Sequence, residues 1–167
     1  MPRRAARVCW PAVVLLVAGC GSPTSQQGSA AGEEGRLKEA FAAYQQALKD
    51  KDADKLWDML SADGRADADR AAKRLRDDYA RADDAAKAKL AKDLGLSGDQ
   101  LANLTGKDYL KTPRFLGKQH EVPGSKFDGA AVQWDKATVN YVEEDGDKEK
   151  LPFVREGGRW KVSPAVE

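Results

Sequence analysis

Cysteine and histidine side chains are the first candidates for nucleophilic or metal chemistry in this chain of 167 residues. The chain has two cysteines, Cys9 and Cys20, and a single histidine, His120. Zinc sites take three or four protein ligands, and one histidine cannot form a histidine-based cluster. The sequence also contains no phosphate-binding glycine loop and no serine-hydrolase motif. We therefore predict no metal site and no cofactor, and no motif identifies a catalytic residue.

The segment before Cys20 has the organisation of an export signal. Arg3, Arg4 and Arg7 precede a run of seven apolar residues, 12–18, and the sequence LVAGC ends at Cys20. A membrane-spanning helix needs roughly 20 apolar residues, so this run is too short to cross a bilayer and fits the apolar part of a signal peptide. LVAGC resembles the lipobox of bacterial lipoproteins, in which an aliphatic residue and two small residues precede a lipid-modified cysteine.

The resemblance to bacterial lipoproteins implies a processing route for this chain. Residues 1–19 would be removed as a signal peptide, and Cys20 would carry a diacylglyceryl group and a further acyl chain, such as palmitate, on its new amino group. Two or more acyl chains anchor a protein stably. The mature protein would be exported and lipid-anchored at the bacterial cell envelope, on the inner or the outer membrane. Because Cys9 leaves with the signal and Cys20 carries lipid, no thiol remains for a disulfide, for catalysis or for a metal.

The charged residues argue against a nucleic-acid partner. Lys and Arg together number 28 and Asp and Glu together number 27, and the two signs are mixed along the chain, so no basic face stands out. The predicted partners are the membrane, through the lipid anchor, and either a small hydrophobic ligand or an envelope protein.

Behind the anchor the sequence predicts a flexible tether and then a folded domain. Residues 20–35 are rich in Gly, Ser, Gln and Ala and form no apolar stripe, and the domain is predicted at 36–164. Asp52 is placed to cap a short second helix, which SADG at 61–64 ends. The first helix carries apolar residues at spacings of four, three and four, namely Leu37, Phe41, Tyr44 and Leu48.

The middle of the chain predicts one long, charged helix over residues 65–94, ending before Gly95. Its apolar stripe is narrow and rich in alanine. Acid-before-base pairs such as Asp83 and Lys87 stand four residues apart and support the helix locally. Two short helical turns follow, each with the spacing of a capping box, at Ser97 and Gln100 and at Thr105 and Asp108.

After Pro113 the pattern changes to one that is typical of β-strands. Strands are predicted at RFLGKQHEV, SKFDGAAVQW, KATVNYVEE, KLPFVRE and RWKVS, with turns near Asp135, at EDGD and at the Gly157-Gly158 pair. Pro152 lacks a backbone N–H, which predicts a sheet edge or a bulge. Helices followed by an antiparallel meander define an α+β fold.

Two segments of this pattern resemble the nuclear transport factor 2-like superfamily, a cystatin-like α+β cone. They are AFAAYQQALKDKDADKLWDMLS near the start of the domain and ATVNYVEEDGDKEKLPFVREGGRWKVS at its end. The resemblance implies N-terminal helices packed on a curved, mostly antiparallel sheet, often with a pocket at the open end of the cone. The long charged helix at 65–94 departs from the family pattern as an insertion.

Enzymes of this superfamily that are similar to ketosteroid isomerase use a buried acid and tyrosines in the pocket. A general base must lie within hydrogen-bond reach of the proton it removes, which one sequence does not show. The residue types available here are Asp128, Asp135, Tyr109, Tyr141 and His120. If the domain has a ligand pocket, we expect it to be lined by Trp57, Tyr109, His120 and Tyr141.

Three functions remain open on the sequence alone. The anchor and the lack of catalytic motifs favour a non-enzymatic accessory domain that binds a ligand or a protein at the cell envelope. The second is a small isomerase- or hydratase-like enzyme that uses a pocket in the cone. The third is a structural envelope lipoprotein.

Overall fold

The computed structural model describes residues 30–164 and Val166. Cys20, the predicted signal peptide at 1–19 and most of the predicted tether lie outside the described residues. The described chain runs from helices to strands: α1 (Ala30–Asp50), α2 (Ala53–Met59), α3 (Ala62–Arg81), α4 (Asp84–Leu94), α5 (Gly98–Ala102), α6 (Gly106–Tyr109), α7 (Pro113–Lys118), a 3-10 turn (Val122–Gly124), β1 (Lys126–Gln133), β2 (Lys136–Val142), β3 (Lys148–Glu156) and β4 (Arg159–Val162).

The four strands form one antiparallel sheet in the order β1-β2-β3-β4. The α+β fold and these four predicted strands are therefore confirmed. Pro152 pairs with Thr138 on β2, and its carbonyl accepts from the Ser163 N–H at 2.9 Å, just beyond the end of β4. Because the two backbone groups of a strand residue point to the same side, the ring nitrogen of Pro152 faces a place where the neighbouring strand has ended. β3 lies between β2 and β4 and pairs with β2 without a break at this residue, so the predicted sheet edge or bulge at Pro152 is wrong.

The apolar stripe of α1 packs on the sheet as the spacing predicts. Leu37, Phe41, Tyr44 and Leu48 are all buried. The ring of Phe41 lies 5.5 Å from that of Tyr141 on β2, between centroids. Alternate residues of the strands face the same core, so the period-two pattern and the helical stripe meet across one interface. The shared core residues of the sheet are Val139, Leu151, Phe153 and Val162.

The first turn of α1 is fastened to the sheet by Glu33, whose carboxylate is buried. Its Oε2 accepts from Arg155 Nη2 at 2.6 Å and from Trp160 Nε1 at 3.1 Å. Its Oε1 accepts from Arg36 Nη1 at 3.1 Å. The Arg155 guanidinium also lies 4.5 Å from the centre of the Trp160 ring, a cation–π contact. We call these four residues the Glu33 cluster.

This cluster explains why the predicted tether at 20–35 is too long. The helix begins at Ala30 rather than near residue 36. The sequence does not predict a helix over residues 30–35, because this segment has no apolar stripe. Glu33 instead attaches it to the sheet through hydrogen bonds to residues 122 and 127 positions away.

The long helix predicted at 65–94 is two helices, and that prediction is wrong in this respect. α3 ends at Arg81, because Ala82 has ψ 150° and leaves the helical region. Asp83 then caps α4, its side chain accepting from the Ala86 N–H at 2.8 Å. An aspartate at this position satisfies an N–H group that would otherwise have no acceptor at the helix start. Asp83 therefore begins a second helix, instead of pairing with Lys87 within one long helix.

The predicted strand at RFLGKQHEV is also wrong, since its first residues form α7. Thr112 caps this helix by accepting from the Phe115 N–H, and Pro113 occupies the first turn, where its missing N–H costs nothing. Phe115 is buried, so its apolar side chain packs on the buried face of α7.

The segment SADG at 61–64 begins a helix as well as ending one: Ser61 caps α3 by accepting from the Gly64 N–H at 3.0 Å.

The two predicted capping boxes are confirmed at the starts of α5 and α6. α6 packs closely on α3: a β-carbon built on the buried Gly106 would lie 2.8 Å from the backbone nitrogen of Asp69 and 3.0 Å from its Cα. Only a residue without a side chain allows this approach.

None of the helices in the described part of the chain is long and apolar enough to cross a membrane.

Candidate functional site

A cluster of carboxylates lies at one end of the sheet, where the chain enters β1 and leaves β2. We call it the acidic cleft; its volume is about 240 Å³ and it is lined by His120, Glu121, Gly124, Glu143, Glu144 and Asp145. Lys126 pairs with Val142 in the sheet, so the residues before β1 and those after β2 are brought side by side. Backbone pairing therefore joins two loops that are about twenty residues apart in sequence.

Helix α1 holds the first of these loops. Gln45 Nε2 donates to the carbonyls of Val122 and Ser125, each at 2.8 Å. Tyr44 is buried in the core, and its hydroxyl donates to Gln119 Oε1 at 3.3 Å. The loop that carries His120 and Glu121 is therefore fixed at both ends by side chains of one helix.

The second loop is the turn EEDGD, which the sequence predicts. The Glu143 N–H donates to the Asp147 carbonyl at 2.9 Å, and the Gly146 N–H donates to the Glu143 carbonyl at 3.1 Å. Gly146 has φ 98°, a conformation that favours glycine. The turn holds Glu143, Glu144 and Asp145 at the mouth of the cleft.

Three of the carboxylates converge. Oxygen atoms of Glu121, Glu143 and Asp145 all lie within 4.8 Å of one another. Partial withdrawal from water, a hydrogen bond with Glu121 and the charges of Glu121, Asp145 and Glu149 together raise the pKa of Glu143 to about 7. Crowded carboxylates resist full ionisation, so a proton or another positive group is favoured at this point. Carboxylate oxygens are also the donors that hard divalent cations take.

His120 lies at the rim of the acidic cleft, beyond the end of α7. Its Nδ1 is 2.8 Å from the Gly117 carbonyl. A carbonyl can only accept, so Nδ1 carries the proton and Nε2 is left to accept or, when protonated, to pair with Glu121. Nε2 lies 3.3 Å from Glu121 Oε1. The imidazole is exposed, which places it in water rather than in a closed pocket.

The four residues predicted to line a pocket are distributed over the domain. His120 lines the acidic cleft. Tyr141 lies nearby on β2: burial, together with the charges of Glu143, Glu149 and Glu121, raises its pKa to about 12. Tyr109 lies elsewhere, its hydroxyl donating to the Val166 carbonyl at 3.2 Å and its ring against Phe115. Trp57 is half-buried against the core.

Tyr109 lines a separate cleft with a basic rim, of about 250 Å³. Burial raises the pKa of Tyr109, against the opposing charges of Arg114 and Arg74. The two candidate acids of the sequence are both exposed. The carboxylate of Asp128 accepts from Lys148 Nζ at 3.1 Å, and Asp135 lies in the β1–β2 turn, at the other end of β2 from the cleft. The structure therefore places neither aspartate at the acidic cleft.

Sequence reasoning missed the carboxylates of the acidic cleft. The acids of EEDGD indicate a solvated turn when they are taken alone, and Glu121 stands in a segment predicted to be a strand. The signal that could have found the cleft is the pairing of β1 with β2, which places HE at 120–121 opposite EED at 143–145. Glu33 was missed because its partners are distant in the sequence.

No model of a known protein family matches the chain, and searches of the curated proteins and of the solved structures found no match.

Proposed function

We propose that the protein is an exported, lipid-anchored accessory protein of the bacterial cell envelope. Its α+β domain binds a positively charged segment of another envelope protein at the acidic cleft. The observation that carries the binding role is the convergence of Glu121, Glu143 and Asp145, whose oxygens lie within 4.8 Å of one another.

The carboxylate crowding supports a positively charged partner. Like charges at this separation repel one another, and a lysine or arginine from a partner would replace that repulsion with attraction. The cleft opens at the surface of the domain, and both of its loops are held by hydrogen bonds. A preformed surface of this kind loses little conformational freedom when a partner binds.

The lipobox supports the anchor, and the start of α1 sets its geometry. Ala30 is ten positions after Cys20, and ten residues span no more than about 35 Å even when fully extended. A domain on so short a tether remains next to the bilayer, where other envelope proteins are concentrated.

We further propose that the domain belongs to the nuclear transport factor 2-like superfamily. The two segments that resemble the family coincide with α1–α2 and with β2–β4. Helices that precede an antiparallel meander and pack on one of its faces also support this assignment.

The binding role predicts a charge-dependent interaction. The lipidated protein should bind a lysine-rich decapeptide in isothermal titration, and the double variant Glu121→Gln with Glu143→Gln should weaken binding by roughly 3–10-fold, because each exposed charge pair contributes up to about 1 kcal/mol. Glu39→Gln, on the exposed face of α1, is the matched control and should bind as the native protein does. If all three proteins bound the peptide with equal affinity, the acidic cleft would not be the binding surface. Tight binding of Ca²⁺ without peptide binding would replace the protein partner with a metal ion.

Glu143→Gln should also flatten the dependence of stability on pH. The pKa of Glu143 is raised from 4.5 to about 7 in the folded protein, so the folded state holds a proton that the unfolded state releases between these values. The contribution of this group is fully present below pH 4.5 and is lost as the pH rises through 7. At pH 8 the variant should melt roughly 1–4 °C above the native protein, with little difference at pH 4. A variant that melts below the native protein at pH 8 would contradict the crowding described here.

Cys20→Ser should abolish lipidation and leave the precursor uncleaved. Mass spectrometry of the native protein should show a mature chain that begins with a lipid-modified Cys20, whereas the variant should retain residues 1–19. Cys9→Ser is the control and should be processed normally. A Cys20→Ser chain that is still cleaved before residue 20 and recovered with the membranes would overturn the anchoring proposal.

A further inference from the structure

An exposed tryptophan stands at the tip of the hairpin that joins β1 to β2. Trp134 is 86% exposed, and Val132 on the same hairpin is 41% exposed; they are the large apolar residues that the described surface leaves open to water. The turn has two residues, because Gln133 pairs directly with Lys136. Trp134 has φ 61°, in the left-handed region that favours glycine. A bulky aromatic residue therefore occupies a strained and solvated position that glycine would fill more easily.

Trp134 lies at the end of the domain where α1 begins. The carbonyl of the adjacent Asp135 accepts from the Arg155 N–H at 2.6 Å, and Arg155 Nη2 donates to Glu33 on the first turn of α1, also at 2.6 Å. One residue therefore touches both the hairpin tip and the start of the first helix. The first turn of α1 therefore lies at the same end of the domain as Trp134.

We propose that Trp134 is a second membrane contact, with its indole lying at the water–lipid interface of the bilayer that holds the lipid anchor. The inference rests on the anchoring proposed above. Ten positions separate Ala30 from Cys20, so even a fully extended tether keeps this end of the domain within about 35 Å of the acyl chains.

The chemistry of the tip favours lipid as its occupant. Tryptophan has an apolar ring and one N–H donor, and it is enriched at membrane interfaces because both parts are satisfied there. Basic and acidic residues are mixed at this end of the sheet: Lys136, Arg155 and Arg159 are basic, and Glu33, Asp135 and Glu156 are acidic. The contact therefore depends on apolar insertion and is insensitive to salt, unlike one made by a basic patch.

Quenching by brominated lipid tests the contact on the lipidated, full-length mature protein in vesicles. Bromine in the acyl chains quenches only a tryptophan that reaches the bilayer. The native protein should be quenched equally at low and high salt. Trp134→Ala should lose that quenching, whereas Trp57→Phe, which removes a half-buried tryptophan, should retain it. In competition with excess vesicles the native protein should transfer roughly 5–20-fold more slowly than Trp134→Ala.

Each result has a distinct meaning. A lipidated native protein without quenching, or quenching that survives in Trp134→Ala, overturns the membrane contact and leaves the anchor intact. A chain that mass spectrometry shows to lack lipid overturns the anchoring and the contact together. If Trp134 is shielded from a water-soluble quencher in native envelope membranes but not in pure lipid vesicles, the occupant is a protein and the contact with lipid is wrong.

Trp134→Gly provides a second test that separates function from folding. Glycine adopts a positive φ without strain, so this variant should melt roughly 2–5 °C above the native protein while it loses the quenching. Retained quenching in this more stable variant counts against the proposal, because no folding defect can account for the result.

Discussion

Replacing Glu33 with alanine is expected to lower the free energy of unfolding by about 2–3 kcal/mol. The variant leaves the Trp160 Nε1–H, on a residue that is 8% exposed, without its acceptor. It also removes the carboxylate that faces the Arg155 guanidinium. Arg155 is 33% exposed at its side chain and can be partly hydrated, so the loss is smaller than that of a fully buried ion pair.

Urea unfolding followed by circular dichroism measures this loss. Glu34→Ala is the matched control: it stands next to Glu33 on α1, is exposed, and should change stability by no more than about 0.5 kcal/mol. Glu33→Gln keeps an oxygen that can accept from one of the donors, and we expect an intermediate value. Equal stability of the Glu33→Ala and Glu34→Ala variants would show that the Glu33 cluster does not hold α1 to the sheet.

Replacing Gly106 with alanine is expected to destabilise the domain by about 2–3 kcal/mol, towards the upper end of the usual range for overpacking. The added methyl group would lie 2.8 Å from the Asp69 backbone nitrogen and 3.0 Å from its Cα. Backbone atoms cannot rotate away as the end of a side chain can, so α3 and α6 must separate. This separation also loosens the contacts of buried residues that flank Gly106, such as Leu104 and Tyr109.

Gly35→Ala provides the opposite control for Gly106→Ala. A β-carbon on Gly35 would have nothing within 4 Å, and the residue lies inside α1. Alanine has the higher helix propensity, so this variant should be stabilised by about 0.5–1 kcal/mol. If both variants change stability in the same direction, the close approach of α3 and α6 is not the reason that position 106 is a glycine.

The sequence predicts those parts of the fold that depend on local signals. The stripe of Leu37, Phe41, Tyr44 and Leu48 predicts the buried face of α1, because residues three and four apart share a helix face. Ser97 and Thr105 predict helix starts, because capping depends on residues only three positions apart. The alternation in β2 and the EDGD turn predict the meander for the same reason.

The parts that were missed depend on residues far apart in the sequence. The sequence alone places Glu33 in the predicted tether, because its partners Arg155 and Trp160 are more than 120 positions away. α7 was predicted as a strand because Phe115 and Leu116 suit either element, and only the cap at Thr112 decides between them. The acidic cleft likewise needs the pairing of β1 with β2 before its two acidic loops can be placed together.

The length of β2 separates the acidic cleft from Trp134, since its first residue adjoins the hairpin tip and its last adjoins Glu143. Seven residues of strand span about 20 Å, whereas at physiological ionic strength an electrostatic potential decays over about 8 Å. If Trp134 contacts the bilayer as proposed and β2 points away from the membrane, the surface potential of anionic lipids would be largely screened at the cleft. The carboxylates of the cleft would then neither compete with the lipid headgroups for a basic segment nor be repelled by them.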